Sequence, residues 1–332
     1  MKAPRTPRAS RALAVCAALL LCACSTSLSE RDQSLLEIYT NTAESYYQLG
    51  DHDRAVAQSL KALEIDPDNL KLRLILGWSL QRRGTTEDVL RAEQVFRSIA
   101  DEQDFRAPLG LAKSLERQGV AHDEAADALE AGKRVTEASD PKQRIAELRA
   151  RSLALWTESR SWYERTLKLQ KSNLDALNGL QRVEALLGRP EESLARGGQL
   201  LEALKLDRDY WERQLKKTQI GDREEKEMRR TIQALVDVEV ATRLHCARTE
   251  YELDRLERAM AQLDAAIELN RGRADLHGMR AVVQRDLGRW EAAIADAERY
   301  IALSTAGVDS PDVKRAFDLI SACEVERARK NP

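Results

Sequence analysis

The chain has 332 residues, 43% hydrophobic and 33% charged, with only 15 glycines and 8 prolines. This richness in helix formers, with no sustained two-residue alternation of Val, Ile and Thr, argues for helices and against a sheet. The net charge of −2 becomes −6 without residues 1–23, which carry Lys2, Arg5, Arg8, Arg11 and no acid, and a mildly acidic body with interspersed signs argues against nucleic acid as a partner.

After the basic start, Ala12 to Ala23 is an unbroken apolar run, ALAVCAALLLCA. It is too short to span a bilayer as a helix and has the build of a secretory signal. It ends in Leu21-Cys22-Ala23-Cys24-Ser25, which resembles a bacterial lipobox, with Cys22 where Ala or Ser is commoner. The resemblance implies cleavage before Cys24, a thioether-linked diacylglycerol on its sulfur and acylation of the new amine. The alternative is an ordinary secretory signal with incidental cysteines. Each buried CH₂ contributes about 0.8 kcal/mol, so two or more fatty chains hold a protein durably on a membrane. Ser25, in place of the Asp that favours inner-membrane retention in such families, implies the outer membrane. The expected order begins with a signal at 1–23 and a polar tether at 24–34.

Leu36 to Asn69 reads as helix, turn, helix, stop. Tyr39, Ala43, Tyr46 and Tyr47 recur at helical spacing, Gly50-Asp51 separates them from Ala55, Ser59, Ala62 and Leu63, and Pro67 closes the unit. Gly50 takes the left-handed conformation that ends a helix cheaply. A helical pair of about 34 residues cannot bury its own apolar face and needs neighbours. Gly84 and Gly119 follow at intervals of 34 and 35 residues, and Gly188 and Gly288 stand in similar contexts. Each is expected to end a short apolar helix.

On Ala43, Tyr46, Gly50, Ala55, Ala62 and Pro67, and again on Ala281, Gly288, Trp290, Ala293, Ile294 and Ala297, the chain resembles the tetratricopeptide repeat family. The implied fold is all-α, a tetratricopeptide-type α-solenoid: a right-handed superhelix of antiparallel helix pairs. It would comprise an N-terminal array over 35–205, an extended helical hairpin over 206–256, further repeats over 257–304 and a capping helix within 305–332.

Within that frame, Leu70–Ala100 makes the second repeat, with about three extra residues near Thr85. Phe105–Val135 makes the third, its first helix ending at Gly119. Pro141 opens a first helix through Trp156, with Trp162, Tyr163 and Leu167 on its partner. Asn173 to Leu201 is another pair, in which Gly197-Gly198 marks close helix contact or a kink. From Leu206 the period breaks. DRDYWERQLKKTQ and a long stretch after Gly221-Asp222 read as antiparallel helices whose charged outer part, around Lys216 to Arg230, projects. Pro311–Arg329 reads as an amphipathic cap through Val313, Phe317, Ile320 and Cys323, which a stack needs over its last apolar surface.

No enzyme signature emerges. His52, His122, His245 and His277 are not paired at metal-ligand spacing, two of them fall in expected turns, and there is no phosphate-cradling loop, nucleophile elbow or HExxH. No catalytic residue, metal or cofactor is expected beyond the lipid on Cys24. Cys246 and Cys323 would meet an oxidising compartment, where a disulfide must be considered. Their separation by about two repeats favours two separate buried thiols.

The resemblance implies recognition of proteins, with first helices lining a concave groove. By register Glu44, Tyr47, Gln48, Trp78, Gln81 and Arg82 face it, and Tyr47, Trp78 and Arg82 are the residue types that anchor interfaces. Trp78 is equally placed to pack between helices. The basic-and-asparagine clamp that some relatives use for a C-terminal carboxylate is unmatched, with Thr40 and Glu44 in its places. The charged stretch Arg223–Arg230 is a second candidate surface or a solvated elbow. The expected role is a lipid-anchored periplasmic scaffold binding envelope proteins, similar to pilotins of pilus or secretion systems or to outer-membrane assembly factors, with no nucleic acid or small-molecule substrate. The alternative is an adaptor or regulator of peptidoglycan hydrolases.

Overall fold

The computed structural model describes residues 28–101, 103–132, 140–217 and 221–330. The signal, Cys24 and the first part of the tether lie outside them. Thirteen helices and no strand occur among the described residues, arranged as an all-α stack of the tetratricopeptide type. The chain divides into two units at Arg83/Gly84.

The first unit holds α1 (Glu30–Gln48), α2 (His52–Ile65) and α3 (Leu70–Arg83). Ser29 caps α1 by accepting the Asp32 N–H, and Asp51 caps α2 by accepting that of Arg54. Between them Gly50 has φ +78°, and the Asp51 and Gly50 N–H groups donate to the carbonyls of Tyr46 and Tyr47 at 2.9 and 3.1 Å. That pair of bonds satisfies carbonyls the helix end would leave bare. Ala43, Ala62, Leu72 and Ile75 form the core, with Tyr39, Tyr47 and Leu63 packed on it. Ala55, Ser59 and Ala62 are fully buried, so small side chains set the close approach of α2 to its neighbours.

The second unit runs through α4 (Thr86–Ile99), α5 (Arg106–Glu130), α6 (Pro141–Leu169), α7 (Leu174–Leu186), α8 (Pro190–Leu215), α9 (Asp222–Glu252), α10 (Leu256–Leu269), α11 (Ala274–Asp286), α12 (Trp290–Leu303) and α13 (Pro311–Lys330). Neighbours in sequence pack together, and α5 also touches α7, α9 touches α11, and α11 touches α13. The odd-numbered helices of this unit therefore lie side by side.

Three expectations are corrected. Gly119 ends no helix, because α5 continues to Glu130. Its role is steric: a Cβ there would sit 2.4 Å from the Trp156 indole nitrogen. Likewise the helix opened by Pro141 does not turn back between Trp156 and Trp162 but runs 29 residues as α6. Two short pairs are thus replaced by one long hairpin of α5 and α6. In the cap, Phe317 is 47% exposed, while Val313, Ala316, Leu319 and Cys323 carry the buried face.

Around the hairpin, α8 passes unbroken through residue 206, its charged outer half continuing the helix that Pro190 starts. Antiparallel pairing with α9 is fixed by Ser193 with His245 and Arg208 with Glu239, and by Glu191 with Arg255 just past the end of α9. Gly197 marks close contact, since a Cβ would lie 2.6 Å from Cys246 Sγ and from the Gln181 side-chain nitrogen. The end of α9 repeats the Gly50 turn without glycine: Asp254 has φ +58° and Arg255 N–H donates to Glu250 O at 2.8 Å.

The Gly119 seat gives a test of sign. On an open helix surface Gly→Ala stabilises by up to about 1 kcal/mol. Here Gly119→Ala forces the Trp156 ring out of place and is expected to cost about 1–3 kcal/mol, the range of overpacking. Urea unfolding measures it; a gain in stability would return Gly119 to a spacer without contact.

Candidate partner-binding grooves

In the first unit, α1 and α3 lie against each other and Lys71 Nζ donates to Glu44 Oε2 at 2.7 Å across them. Tyr47 is half-buried, packed on the core and tilted against the His52 ring at 5.9 Å between centroids. Trp78 and Gln81 are half-buried on α3, and Gln48 and Arg82 are exposed. Trp78 stands seven residues, about two turns, along α3 from Lys71. The expected residues are thus on the neighbouring first helices α1 and α3.

Between Arg223 and Arg230, Arg223 pairs with Glu227 and Arg229 with Glu225, each one turn away along the helix.

The second unit holds a groove that sequence reasoning did not single out. A cleft of about 340 Å³ lies where α7 meets α9, bordered by Asn178, Arg182, His245 and Arg248. A second, of about 380 Å³, opens between α11, α12 and α13. They share Arg248 and Asp275, so they form one track across odd-numbered helices. A legible signal did exist: Gly278, Met279 and Val282 present small and apolar groups on α11 at helical spacing.

Buried charge pairs position the helices around this track. Glu116 of α5 is 7% exposed and receives the Tyr163 hydroxyl at 2.5 Å and Arg182 at 2.7 and 3.0 Å, tying α5, α6 and α7. Burial and the Glu116 carboxylate push the Tyr163 hydroxyl well above its usual range. Asp296 of α12 receives His277 Nδ1 at 3.0 Å and Arg280 at 2.7 and 2.8 Å, tying α11 to α12. Such pairs fix geometry more than they stabilise, because each ion must first leave water.

His245 and His277 bridge neighbouring helices. His122 lies inside α5 rather than in a turn, and His245 bonds Ser193 Oγ at 3.1 Å. No cluster of His, Cys, Asp and Glu able to hold a metal occurs among the described residues. Cys246 and Cys323 are free and buried, and burial pushes the Cys246 thiol up to about 11, an unreactive state. No helix among the described residues is long and apolar enough to cross a membrane.

Residues 36–69 match the sequence model of the tetratricopeptide repeat, spanning α1, α2 and the approach to α3. That segment is a tetratricopeptide repeat. No curated protein matches the chain. Among solved structures, a thermophilic tetratricopeptide protein of Thermus thermophilus, TTC0263, is 16% identical, with 76% of this chain and 98% of that one covered at a TM-score of 0.42. PilF of Pseudomonas aeruginosa is 14% identical over 86% and 98%, at 0.49. YrrB, a tetratricopeptide protein with an unusual peptide-binding site, is 14% identical over 78% and 97%, at 0.48.

His245 ties the groove to pH. Burial first, then Arg248 and Arg182, hold its ring below the ordinary 6.5. The unfolded chain therefore binds a proton in a window just below 6.5 that the folded ring refuses, so stability rises with pH through that window and is lost on acidification. Denaturation midpoints are expected to fall from pH 7.5 to 5.5 less in His245→Gln than in the native chain; equal falls would deny His245 this part.

Proposed function

We propose that the chain is a protein-interaction scaffold of the bacterial cell envelope, anchored by a lipid on Cys24, facing the periplasm and placed on the outer membrane. It holds components of an envelope assembly, of the pilus, secretion or outer-membrane assembly type, through the faces of its first helices. The observation that carries the reading is the joining of two features in one chain: a basic-apolar-Leu-Cys-Ala-Cys start and a tetratricopeptide stack whose chemistry-bearing side chains serve helix contacts. A stack of helix pairs offers extended surfaces, and surfaces near a membrane gather partners.

In the first unit Tyr47, Trp78 and Arg82 are the proposed anchors, with Glu44, Gln48 and Gln81 as polar contacts around them. A partner lying on α1 and α3 would break the exposed Lys71–Glu44 pair at little cost, since exposed ion pairs contribute about 0–1 kcal/mol. The two ring residues are then the main sources of affinity.

Crosslinked envelopes carrying the full chain are expected to yield a secretin or barrel-assembly component on pull-down; recovery of peptidoglycan hydrolases instead would replace this assembly with a hydrolase regulator. Tyr47→Ala with Trp78→Ala, folded by circular dichroism, is expected to lower recovery about tenfold or more, equal to 1.4 kcal/mol. Cys24→Ser is expected to leave the membrane in a salt wash, and its retention there would remove the lipid from the account.

A further inference from the structure

The cleft between α11, α12 and α13 has a particular chemistry. Its floor is apolar, with Met279 and Val282 from α11 and Ala316 and Leu319 from α13. Gly278 leaves room beside Tyr300, whose ring carbon would stand 3.0 Å from a Cβ placed there. The volume of about 380 Å³ suits one or two large side chains rather than a folded surface.

The rim is charged, and most of that charge is already answered. Asp312 pairs with Arg315, and Asp275 takes Arg273 at 2.9 Å. Arg182, further along the track, is committed to buried Glu116. Arg248 differs: it is exposed, borders both clefts and makes no ion pair among the described residues.

We propose that this cleft seats an apolar side chain of an acidic protein segment, with a carboxylate next to that side chain meeting Arg248. The inference rests on the scaffold reading and deepens it by naming the partner's chemistry at one place. The segment runs from the α11–α13 cleft toward the α7–α9 cleft, because Arg248 and Asp275 join the two. An apolar anchor supplies affinity and the carboxylate fixes direction and discriminates against basic segments.

The test is selection of a phage-displayed random-peptide library on the full chain, followed by binding of the recovered peptides to variants shown to melt like the native protein. Recovered peptides are expected to carry a large apolar residue beside Asp or Glu. Arg248→Glu is expected to weaken them about tenfold or more and Arg248→Lys by less than about threefold, while Met279→Lys, which puts a charge on the floor, weakens them as Arg248→Glu does. Peptides without acidic enrichment, or acidic-apolar peptides indifferent to Arg248→Glu and Met279→Lys, overturn the proposal. Peptides lost only in the Tyr47→Ala/Trp78→Ala variant overturn it and leave the scaffold reading standing. Selection of no peptide at all overturns both.

Discussion

The seating of an aromatic ring on bare helix backbone is the contact the second unit depends on. A Cβ at Gly110 would lie 2.4 Å from the Phe96 ring, and one at Gly179 would lie 2.2 Å from that of Tyr163. Each ring occupies space that any other residue would fill, so the helices close to a separation that larger side chains forbid. Dispersion falls steeply with distance, and that closeness is what makes an aromatic contact strong. Removing the glycine and removing the ring harm the stack in different ways, one by collision and the other by a void.

The rings also explain why polar groups can be buried between these helices. Tyr163 lies against Gly179 and extends its hydroxyl to Glu116, which Arg182 then clamps with two bonds. The ring fixes where the carboxylate must sit, and the carboxylate fixes the face that α7 turns toward α5. A mismatched register would leave Glu116 buried without partners, which costs several kcal/mol. Apolar packing alone would tolerate a one-turn slip between such Ala- and Leu-rich helices. The ion pair penalises it.

How much of this could be read from the chain depends on what glycine was signalling. Gly50 and Gly84 are followed by Asp51 and Thr85, side chains that cap the next helix, and there the turns fall where the spacing puts them. Gly119 is followed by Val120 and the helix continues, yet Gly188 and Gly288, followed by arginines that make no side-chain cap, do end helices, so the next residue does not decide it either. The same residue type serves a left-handed turn in one case and a close ring in the other, and spacing alone does not separate them. The first-unit residues followed from register on two short helices. The second-unit groove did not, because it depends on how the 31-residue α9 docks between α7 and α11, a non-local matter. Phe317 failed for a related reason: helical spacing gives a stripe, and the neighbour α12 decides which edge of the stripe is covered.

The cap helix shows how stability and recognition are joined. Leu319 and Cys323 of α13 cover Ala281, Ala293 and Ala297, the apolar surface that the last repeat would otherwise expose. Those covered positions are alanines, so α13 is set by small contacts and leaves Met279 and Val282 only half-buried beside it. A bulkier seam would have pushed α13 away or filled the cleft. The open apolar floor next to Arg248 is thus a consequence of how the stack ends: the helix that completes the core covers its small residues and leaves its larger ones as the floor of the groove.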